Sequence, residues 1–306
     1  MSKVENITLK GLPAVRLTDA SGATCEIFLY GAHVASWKPA DGVETLFTSS
    51  TAEIGGGKAL RGGIPICWPQ FAAKGQYAKH GICRTSSEWT VLRTNVDPFP
   101  CVVLELKDSE ATRAAWPFPF KLHYAVTLDG AQTLSTSMTV LNPSKEAALE
   151  FTGALHTYFA CEEAGAVQIM GLAETEYENS AAGGAKGTQE EPLLAFSGET
   201  DRIYYNTPSE LYLMNVGSAG RHVKVLKMGF PDAVTWNIGG EKAPTLKDLA
   251  PGEWKKYVCL EAALIGKPYA LAPSTSYCAG QTFTAGAALP DAKKKKKKGA
   301  KVEDIS

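Results

Sequence analysis

Apolar and polar positions alternate most clearly between Leu122 and Leu141. Every second residue is large and apolar up to Leu128, the pair Asp129-Gly130 interrupts the pattern, and the alternation then resumes through Val140. An Asp-Gly pair between two runs of period two is a strong signal for a β-hairpin. The positions between the apolar ones in the second run are Ser and Thr, which predicts a sheet with one face on a core and one in solvent.

Other segments rich in β-branched and aromatic residues end at glycine, proline or turn residues, as strands do. The segments that predict strands are Thr24–Tyr30, Cys101–Leu106, Leu211–Val216, His222–Lys227, Ala233–Asn237 and Lys255–Glu261. The pattern contains no amphipathic helix longer than about three turns and no alternation of strands with helices. The sequence therefore predicts an all-β fold, a sandwich of antiparallel strands.

The chain shows no internal repeat and no segment typical of a domain linker. Ala181–Gly187 is rich in glycine and alanine, and it predicts a flexible loop inside a domain. We expect a single β-sandwich domain over residues 1–285, followed by a lysine-rich, disordered tail over residues 286–306.

A net charge of -1 hides an uneven distribution. Seven lysines lie after residue 285, six of them in the run Lys293–Lys298, and the remaining chain holds 24 basic and 29 acidic residues. Such a run can contact nucleic acid, an anionic membrane or a transport receptor, or it can simply be solvated. Because the body has no basic excess, we expect no nucleic-acid partner for the main activity.

Composition also limits the compartment and the kind of site. No run of about 18 apolar residues occurs that could cross a membrane, and the N-terminus lacks an apolar signal core. Seven cysteines without a CxxC pair predict reduced thiols and argue against a zinc site or a disulfide framework. We therefore expect a cytoplasmic protein with no membrane partner and no metal, and nothing in the sequence requires more than a monomer.

The segments Ala59–Phe71 and Lys79–Arg84 combine glycines, prolines and large apolar residues with several cationic groups. Glycine allows close backbone approach, proline fixes the path of a loop, and the planar guanidinium group of arginine binds oxyanions with paired hydrogen bonds. Arg61 and Arg84 are thus candidates for binding a small anion. The alternative is a buried structural loop whose arginines pair with carboxylates.

Three further residues are candidates for chemistry. His156 lies in the apolar and aromatic segment Phe151–Phe159, which predicts a strand with a partly buried imidazole able to transfer protons near neutral pH. Glu261 ends an apolar strand, where a carboxylate needs a partner or a function. Asp201 precedes another strand-like segment. The structural alternatives are a core histidine, a salt bridge from Glu261 to a loop arginine, and a turn residue at Asp201.

These segments occur together in one order that resembles the glucose-6-phosphate 1-epimerase (hexose-6-phosphate mutarotase) branch of the aldose 1-epimerase family. The similarity runs from about residue 5 to about residue 272, and each motif is weak alone while the ordered set is specific. The motifs are Arg61–Phe71, His80–Arg84, Leu155–Phe159, Glu199–Tyr204 and Val258–Ala262.

The resemblance implies a galactose-mutarotase-like β-supersandwich with a sugar cleft on one sheet and with no cofactor or metal. It implies that His156 and Glu261 are catalytic. The substrate-binding residues it implies, with the arginines on the phosphate side, are Arg61, Lys79, His80, Arg84 and Asp201. Lys79 stands where the family usually has Gln; lysine keeps a donor and adds charge, but it lacks the amide acceptor.

The expected activity is interconversion of the α and β anomers of a hexose 6-phosphate, most naturally glucose 6-phosphate, by acid/base ring opening and reclosure. Three alternatives remain open: an aldose 1-epimerase for unphosphorylated sugars, a carbohydrate-binding β-sandwich without catalysis, and a scaffold in which the lysine run is the active part. Arg61, Lys79 and Arg84 together favour a phosphorylated substrate.

Overall fold

A computed structural model of the chain describes residues 1–217 and 220–290. Two short α-helices lie among the strands of this part of the chain: α1 (Glu110–Ala115) and α2 (Gly239–Lys242). The strands are β1 (Lys3–Leu9), β2 (Leu12–Thr18), β3 (Thr24–Phe28), β4 (His33–Lys38), β5 (Ile66–Cys67), β6 (Thr90–Asn95), β7 (Cys101–Lys107), β8 (Lys121–Leu128), β9 (Thr133–Leu141), β10 (Leu149–Leu155), β11 (Tyr158–Ala160), β12 (Gln168–Met170), β13 (Glu176–Asn179), β14 (Ala185–Thr188), β15 (Leu193–Ala195), β16 (Thr200–Tyr204), β17 (Glu210–Val216), β18 (Arg221–Met228), β19 (Asp232–Asn237), β20 (Tyr257–Leu271) and β21 (Ser276–Ala285).

The strands form three sheets. An N-terminal sheet has the order β1-β2-β3-β4. A second sheet, the site sheet, has the order β14-β13-β16-β19-β20-β10-β5, with β11 also paired to β20. A third, the back sheet, has the order β15-β12-β17-β18-β21-β9-β8-β7-β6. The paired strands run antiparallel, for example β10 with β20 and β8 with β9, so the predicted all-β, antiparallel fold class is confirmed.

The site sheet and the back sheet pack face to face. The ring of Phe159 on β11 lies 5.1 Å from that of Phe283 on β21. Trp37 of the N-terminal sheet lies 6.0 Å from the same phenylalanine, so all three sheets meet there. The largest hydrophobic cluster includes residues from Val15 to Ala285. Burial of this apolar surface is the main stabilising contribution to the sandwich. We propose that residues 1–285 form one domain.

The predicted hairpin is present as β8 and β9, with strictly alternating burial along both strands. Its connection differs from a two-residue Asp-Gly turn, because four residues, 129–132, separate the strands. Asp129 N–H donates to the carbonyl of Thr133 at 2.9 Å, and Gly130 has φ of 85°. Glycine thus supplies the left-handed residue that the wider turn needs.

Strand β20 is longer than the predicted Lys255–Glu261, since it runs on to Leu271. Gly266 and Pro268 favour an end there, but the register of β10 with β20 shifts between Leu264 and Tyr269, so these two positions need no ladder partner. The N–H groups of Ile265 and Gly266 donate to the Asp232 carboxylate instead, at 2.7 and 2.8 Å. A side chain from β19 therefore replaces the missing strand pairing.

The prediction that Ala181–Gly187 is a flexible loop is wrong for most of the segment. A 3-10 turn covers Ser180–Ala182, and β14 begins at Ala185, so only Gly183 and Gly184 form the turn between β13 and β14. Of the predicted tail, residues 291–306 lie outside the described part of the chain. Within residues 1–217 and 220–290, no helix has the length and apolarity needed to cross a membrane.

Candidate active site

The loop that carries Arg61 runs between two layers of backbone, and its glycines make this possible. A Cβ on Gly63 would lie 2.1 Å from the carbonyl oxygen of Val34, and the residue has φ of 60°. The carbonyl of Gly63 accepts from Tyr158 N–H at 2.9 Å, and that of Pro65 accepts from His156 N–H at 2.9 Å. The loop is therefore hydrogen-bonded directly to the segment that carries the histidine.

His156 does not lie in a strand, contrary to prediction. It falls in the gap between β10 and β11, where the N–H of Thr157 donates to the carbonyl of Leu155 at 2.9 Å. A hydrogen bond from residue i+2 to residue i defines a γ-turn, and His156 is its central residue. The turn interrupts the pairing of this segment with β20. The single strand predicted from the continuous apolar sequence is therefore divided into β10 and β11.

Glu261 lies inside β20 rather than at the end of a strand, paired across the sheet with Val234 of β19. Its side chain is 1 % exposed, and its Oε1 lies 3.3 Å from Nδ1 of His156. Oε2 has no hydrogen-bond partner among the described residues. The carboxylate therefore meets the imidazole, with which it would form a salt bridge if His156 were protonated, and within the described residues no loop arginine forms a salt bridge with Glu261.

Burial acts on the two groups in opposite directions. It lowers the pKa of His156 well below its usual value, and the positive charges of Arg61 and Arg84 lower it further. Burial raises the pKa of Glu261 well above its usual value, and the nearby Asp201 carboxylate adds to the shift. Both shifts penalise the charged form. Burial therefore favours the arrangement in which both groups are neutral, with the proton on Glu261 rather than on His156.

Aromatic rings fix the orientation of the imidazole. The ring of Tyr158 is stacked on that of His156, with centroids 4.7 Å apart and planes at 8°. Trp236 of β19 meets the imidazole edge-on at 5.8 Å, and His80 lies at the same distance. Such packing limits rotation of His156, which keeps it directed at Glu261.

Asp201 lies in β16, paired with Trp236, and is not a turn residue. Burial raises the pKa of its carboxyl group, with a hydrogen bond from Ser180 acting in the opposite direction. The carboxylate lines the same cleft as the catalytic candidates and can accept hydrogen bonds from sugar hydroxyl groups.

Arg61 is held by two partners. Its Nε and one terminal nitrogen donate to the carboxylate of Asp248 at 3.3 and 3.2 Å, and the other terminal nitrogen donates to the hydroxyl of Tyr158 at 3.0 Å. The alternative of an arginine paired with a carboxylate is thus correct for this residue. Asp248 offsets part of its charge, but the side chain stays 22 % exposed.

Arg84 and Lys79 make no ion pair with a carboxylate in the described part of the chain, and their one mutual contact is a 3.4 Å bond from Arg84 to the Lys79 carbonyl. His80 accepts a hydrogen bond from Ala72 N–H at its Nδ1, at 3.3 Å. Burial, together with the charges of Arg84, Lys79 and Arg61, lowers the pKa of His80 to about 3. His80 is therefore neutral, and its other nitrogen is left to donate.

All of the predicted site residues line one cleft with a volume of about 390 Å³, within the usual range for small-molecule sites. They are Arg61, Lys79, His80, Arg84, His156, Asp201 and Glu261. A second cavity of about 440 Å³ shares Arg61, Arg84 and Tyr158 with this cleft and adds Lys58 and Lys247. The cationic loop thus forms the wall between the two.

A larger cavity of about 530 Å³ lies elsewhere and is lined by Phe28, Ser36, Glu44 and Lys256, among others. Its buried carboxylate is already satisfied, because Glu44 accepts hydrogen bonds from Ser36 and from the N–H groups of Trp37 and Leu46. We therefore place the chemistry in the smaller cleft. The described residues contain no group of three or more His, Cys, Asp or Glu side chains arranged to hold a metal ion.

Two residues that the sequence reasoning missed complete the site: Asp248, which holds Arg61, and Trp236, which packs on His156. Asp248 lies 187 residues from Arg61 in the chain, in a polar segment without periodicity. No local pattern could have paired them. Trp236 lies in the predicted strand Ala233–Asn237 and pairs with Asp201 across the sheet. Paired residues of neighbouring strands face the same side of a sheet, so this pairing would have placed Trp236 at the cleft.

Comparison with known proteins identifies the family of the chain. The aldose 1-epimerase family model matches residues 13–284. The chain belongs to the aldose 1-epimerase family. The predicted family and the expected class of isomerase are thereby confirmed.

Relatives from several organisms carry the name "Putative glucose-6-phosphate 1-epimerase". The one from Cenchrus ciliaris is 33% identical over 297 residues, covering 90% of this chain and 89% of the relative. The one from Salmonella typhimurium is 32% identical over 248 residues, covering 80% and 79%. A crystal structure of a "putative mutarotase (YeaD)" from Salmonella typhimurium has a TM-score of 0.83 at 26% identity, covering 92% of this chain and 93% of that one. Galactose 1-epimerase from Lactobacillus acidophilus has a TM-score of 0.70 at 16% identity, covering 93% and 98%, and shows the shared fold.

Proposed function

We propose that this aldose 1-epimerase family member interconverts the α and β anomers of a hexose 6-phosphate, with glucose 6-phosphate as the expected substrate. The observation that carries the proposal is the buried contact between His156 and Glu261, in a cleft that also holds Arg84 and Lys79, two cations with no carboxylate partner among the described residues. The named relatives support it, since two of them are called glucose-6-phosphate 1-epimerases.

Anomer exchange requires a base at the anomeric hydroxyl group and an acid at the ring oxygen. In the proposed mechanism Glu261 removes the proton from the anomeric hydroxyl, and protonated His156 donates a proton to the ring oxygen. The ring opens to the aldehyde, the bond between carbons 1 and 2 rotates, and closure reverses both transfers. The pair as a whole neither gains nor loses a proton, which suits a site shielded from water.

The phosphate is proposed to bind Arg84 and Arg61, with Lys79 beside them. Charge-assisted hydrogen bonds to phosphate are the strong kind, and Arg84 has no competing carboxylate in the described structure. Asp201 is proposed to orient sugar hydroxyl groups, and His80 to donate one hydrogen bond from its free nitrogen. Lys79 adds charge where an amide would have supplied an acceptor.

A member of the same family acting on unphosphorylated sugars would share the chemistry but would have no phosphate to bind to the three cations that line the cleft, Arg61, Lys79 and Arg84. Replacing Arg84 separates the two cases. We expect Arg84→Ala to raise the KM for glucose 6-phosphate by about 10- to 100-fold, in line with a lost hydrogen bond to a charged group of about 1.5–3 kcal/mol, and to leave the KM for free glucose nearly unchanged.

The measurement is polarimetry or NMR exchange of both sugars with wild-type and variant protein. A matched control is Lys255→Ala, since Lys255 is a cation that does not line the cleft. Its Nζ lies 3.9 Å from Oε2 of Glu163 and above the ring of Trp254. The control should leave both KM values at their wild-type level. Equal changes for both sugars in Arg84→Ala would identify Arg84 as a structural residue and would favour the unphosphorylated substrate.

A further inference from the structure

Arg61 connects the proposed phosphate site with the catalytic histidine through direct contacts. Its guanidinium group donates to the Tyr158 hydroxyl at 3.0 Å, and the Tyr158 ring is stacked on the His156 imidazole at 4.7 Å. The same guanidinium group lines both the sugar cleft and the cavity beyond it. A ligand charge placed on Arg61 is therefore only one side chain away from the imidazole.

The charged groups around the pair act on its two members unequally. The groups that face His156 are Arg61, His80 and Arg84 from the loop, Tyr158 from β11 and Glu261 from β20. Of these, the two arginines oppose a positive charge on the imidazole. Glu261 is affected mainly by its burial and by Asp201, which lies in β16. A dianion bound to the arginines would therefore favour protonation of His156 more than it would disturb Glu261.

The proposed mechanism begins from protonated His156 and ionised Glu261, whereas burial opposes the charged form of each group and so favours the opposite arrangement. The two arrangements contain the same number of protons and differ only in the position of one of them. Nδ1 of His156 and Oε1 of Glu261 are 3.3 Å apart, and Nδ1 makes no hydrogen bond within the described residues. Once a small rotation of either side chain aligns the two atoms, a proton exchanged between them interconverts the two arrangements.

We propose that the 6-phosphate of the substrate activates the catalytic pair as well as anchoring the sugar: by binding Arg61 and Arg84 it moves the shared proton from Glu261 to His156. This inference rests on the proposed function and specifies its regulation by the substrate's own charge. Before phosphate binds, Asp248 already offsets part of the Arg61 charge, and it thereby sets how strongly Arg61 opposes protonation of His156. Binding energy from a remote group is thereby used in the chemical step.

The test separates the phosphate from the sugar. Xylopyranose is glucopyranose without carbon 6, so it retains the anomeric centre and leaves the phosphate position free for phosphite dianion. We expect phosphite to raise the kcat of the wild-type protein for xylose mutarotation saturably, by about tenfold or more, since each unit of pKa changes the protonated fraction of an imidazole tenfold. Because phosphite also catalyses mutarotation in solution, rates with His156→Ala protein are subtracted.

Variants identify the route of activation. Arg84→Ala should lose most of the phosphite effect, and its kcat for xylose without phosphite should be higher than that of the wild type, because one cation opposing protonation of His156 is gone. Lys255→Ala, a lysine paired with Glu163, should show the wild-type response. Asp248→Asn keeps the shape of the Arg61 partner while removing its charge, and it should show a lower kcat without phosphite and a larger activation.

A spectroscopic measurement gives an independent result. In ¹⁵N NMR of histidine-labelled protein, the His156 signals, assigned by their loss in His156→Ala, should move toward the imidazolium positions when phosphite is added. No shift, together with no activation or with inhibition of xylose turnover, would overturn the inference while leaving the proposed function intact, provided that glucose 6-phosphate is still converted. Absence of glucose 6-phosphate conversion would overturn the proposed function itself.

Discussion

At the scale of single residues, the site depends on two ionisable groups, each of which is disfavoured in its charged form by burial. His156 and Glu261 are 8 % and 1 % exposed, and burial lowers the pKa of the imidazole and raises the pKa of the carboxyl group. Such a pair is suited to a reaction that takes one proton and returns one. Residue types and their apolar surroundings were enough to predict both candidates, but not their contact, because 105 positions separate them in the chain.

The pH dependence follows from the direction of the two shifts. His156, with its pKa lowered, takes up a second proton on the pair only well below pH 6.5. Glu261, with its pKa raised, loses the shared proton only well above pH 4.5. We therefore expect kcat/KM for free glucose, which has no titrating phosphate, to show a plateau that ends on the acid side in a limb centred well below pH 6.5 and on the basic side in a limb centred well above pH 4.5.

The check is a profile of kcat/KM against pH, which reports groups of the free enzyme. Glu261→Gln supplies the control, because it removes the proton that the pair shares and should abolish the plateau along with most of the activity. An acid limb centred at or above pH 6.5 would contradict a buried, neutral His156.

At the scale of elements, a γ-turn, a glycine loop and one long strand bring the groups together. The apolar segment Phe151–Phe159 correctly predicted β-structure, yet the break at His156 was not visible in it. The break depends on bonds from His156 and Tyr158 to the carbonyls of Pro65 and Gly63, which are far away in sequence. Gln281 of β21 adds a contact from the back sheet, donating to Thr157 at 2.9 Å.

The close approach at Gly63 predicts a specific loss of stability. Gly63→Ala would place its Cβ 2.1 Å from the Val34 carbonyl oxygen, whereas Gly56 has a similar φ of 58° and nothing within 4 Å. Both alanine variants bear the cost of a left-handed backbone, and only the first also has to displace backbone atoms. We expect Gly63→Ala to lower the free energy of unfolding by about 1–3 kcal/mol more than Gly56→Ala does.

Urea denaturation of the two variants measures this difference. Gly63→Ala should also weaken the hydrogen bonds between the loop and the segment that carries His156. We therefore expect kcat to fall in Gly63→Ala and to stay at the wild-type level in Gly56→Ala. Equal stabilities would show that the loop can move away from Val34, and the Gly62-Gly63 pair would then not fix the position of Arg61.

At the scale of the whole molecule, three antiparallel sheets place the site on the face of the site sheet that is covered by loops. Periodicity predicted β8, β9 and several other strands, because alternation is a local property. The assignment of strands to sheets and the Arg61–Asp248 pair depend on contacts between distant segments, which local patterns do not contain. For β20, local signals even pointed to an early end, since a side chain of β19 replaces the missing bonds.

The family match ends at residue 284, and the cleft residues lie between Arg61 and Glu261. Deleting residues 291–306, which include the Lys293–Lys298 run, should therefore leave kcat and KM for glucose 6-phosphate within about twofold of the full chain, as each tenfold change would require 1.4 kcal/mol. A matched deletion from residue 276 onward removes Phe283 and Gln281 from the core and should prevent folding. Loss of activity in the shorter deletion would give the lysine run a catalytic or binding role.

The central claim is that His156 and Glu261 exchange protons with a hexose 6-phosphate, and anomer exchange of glucose 6-phosphate tests it most directly. The rate is measured by polarimetry or NMR for wild-type, His156→Ala and Glu261→Gln proteins whose folding is verified by circular dichroism. We predict that the wild type accelerates exchange and that each variant loses about 10²- to 10⁴-fold in kcat, the usual contribution of one proton-transfer group. Folded variants with nearly wild-type rates would contradict the account.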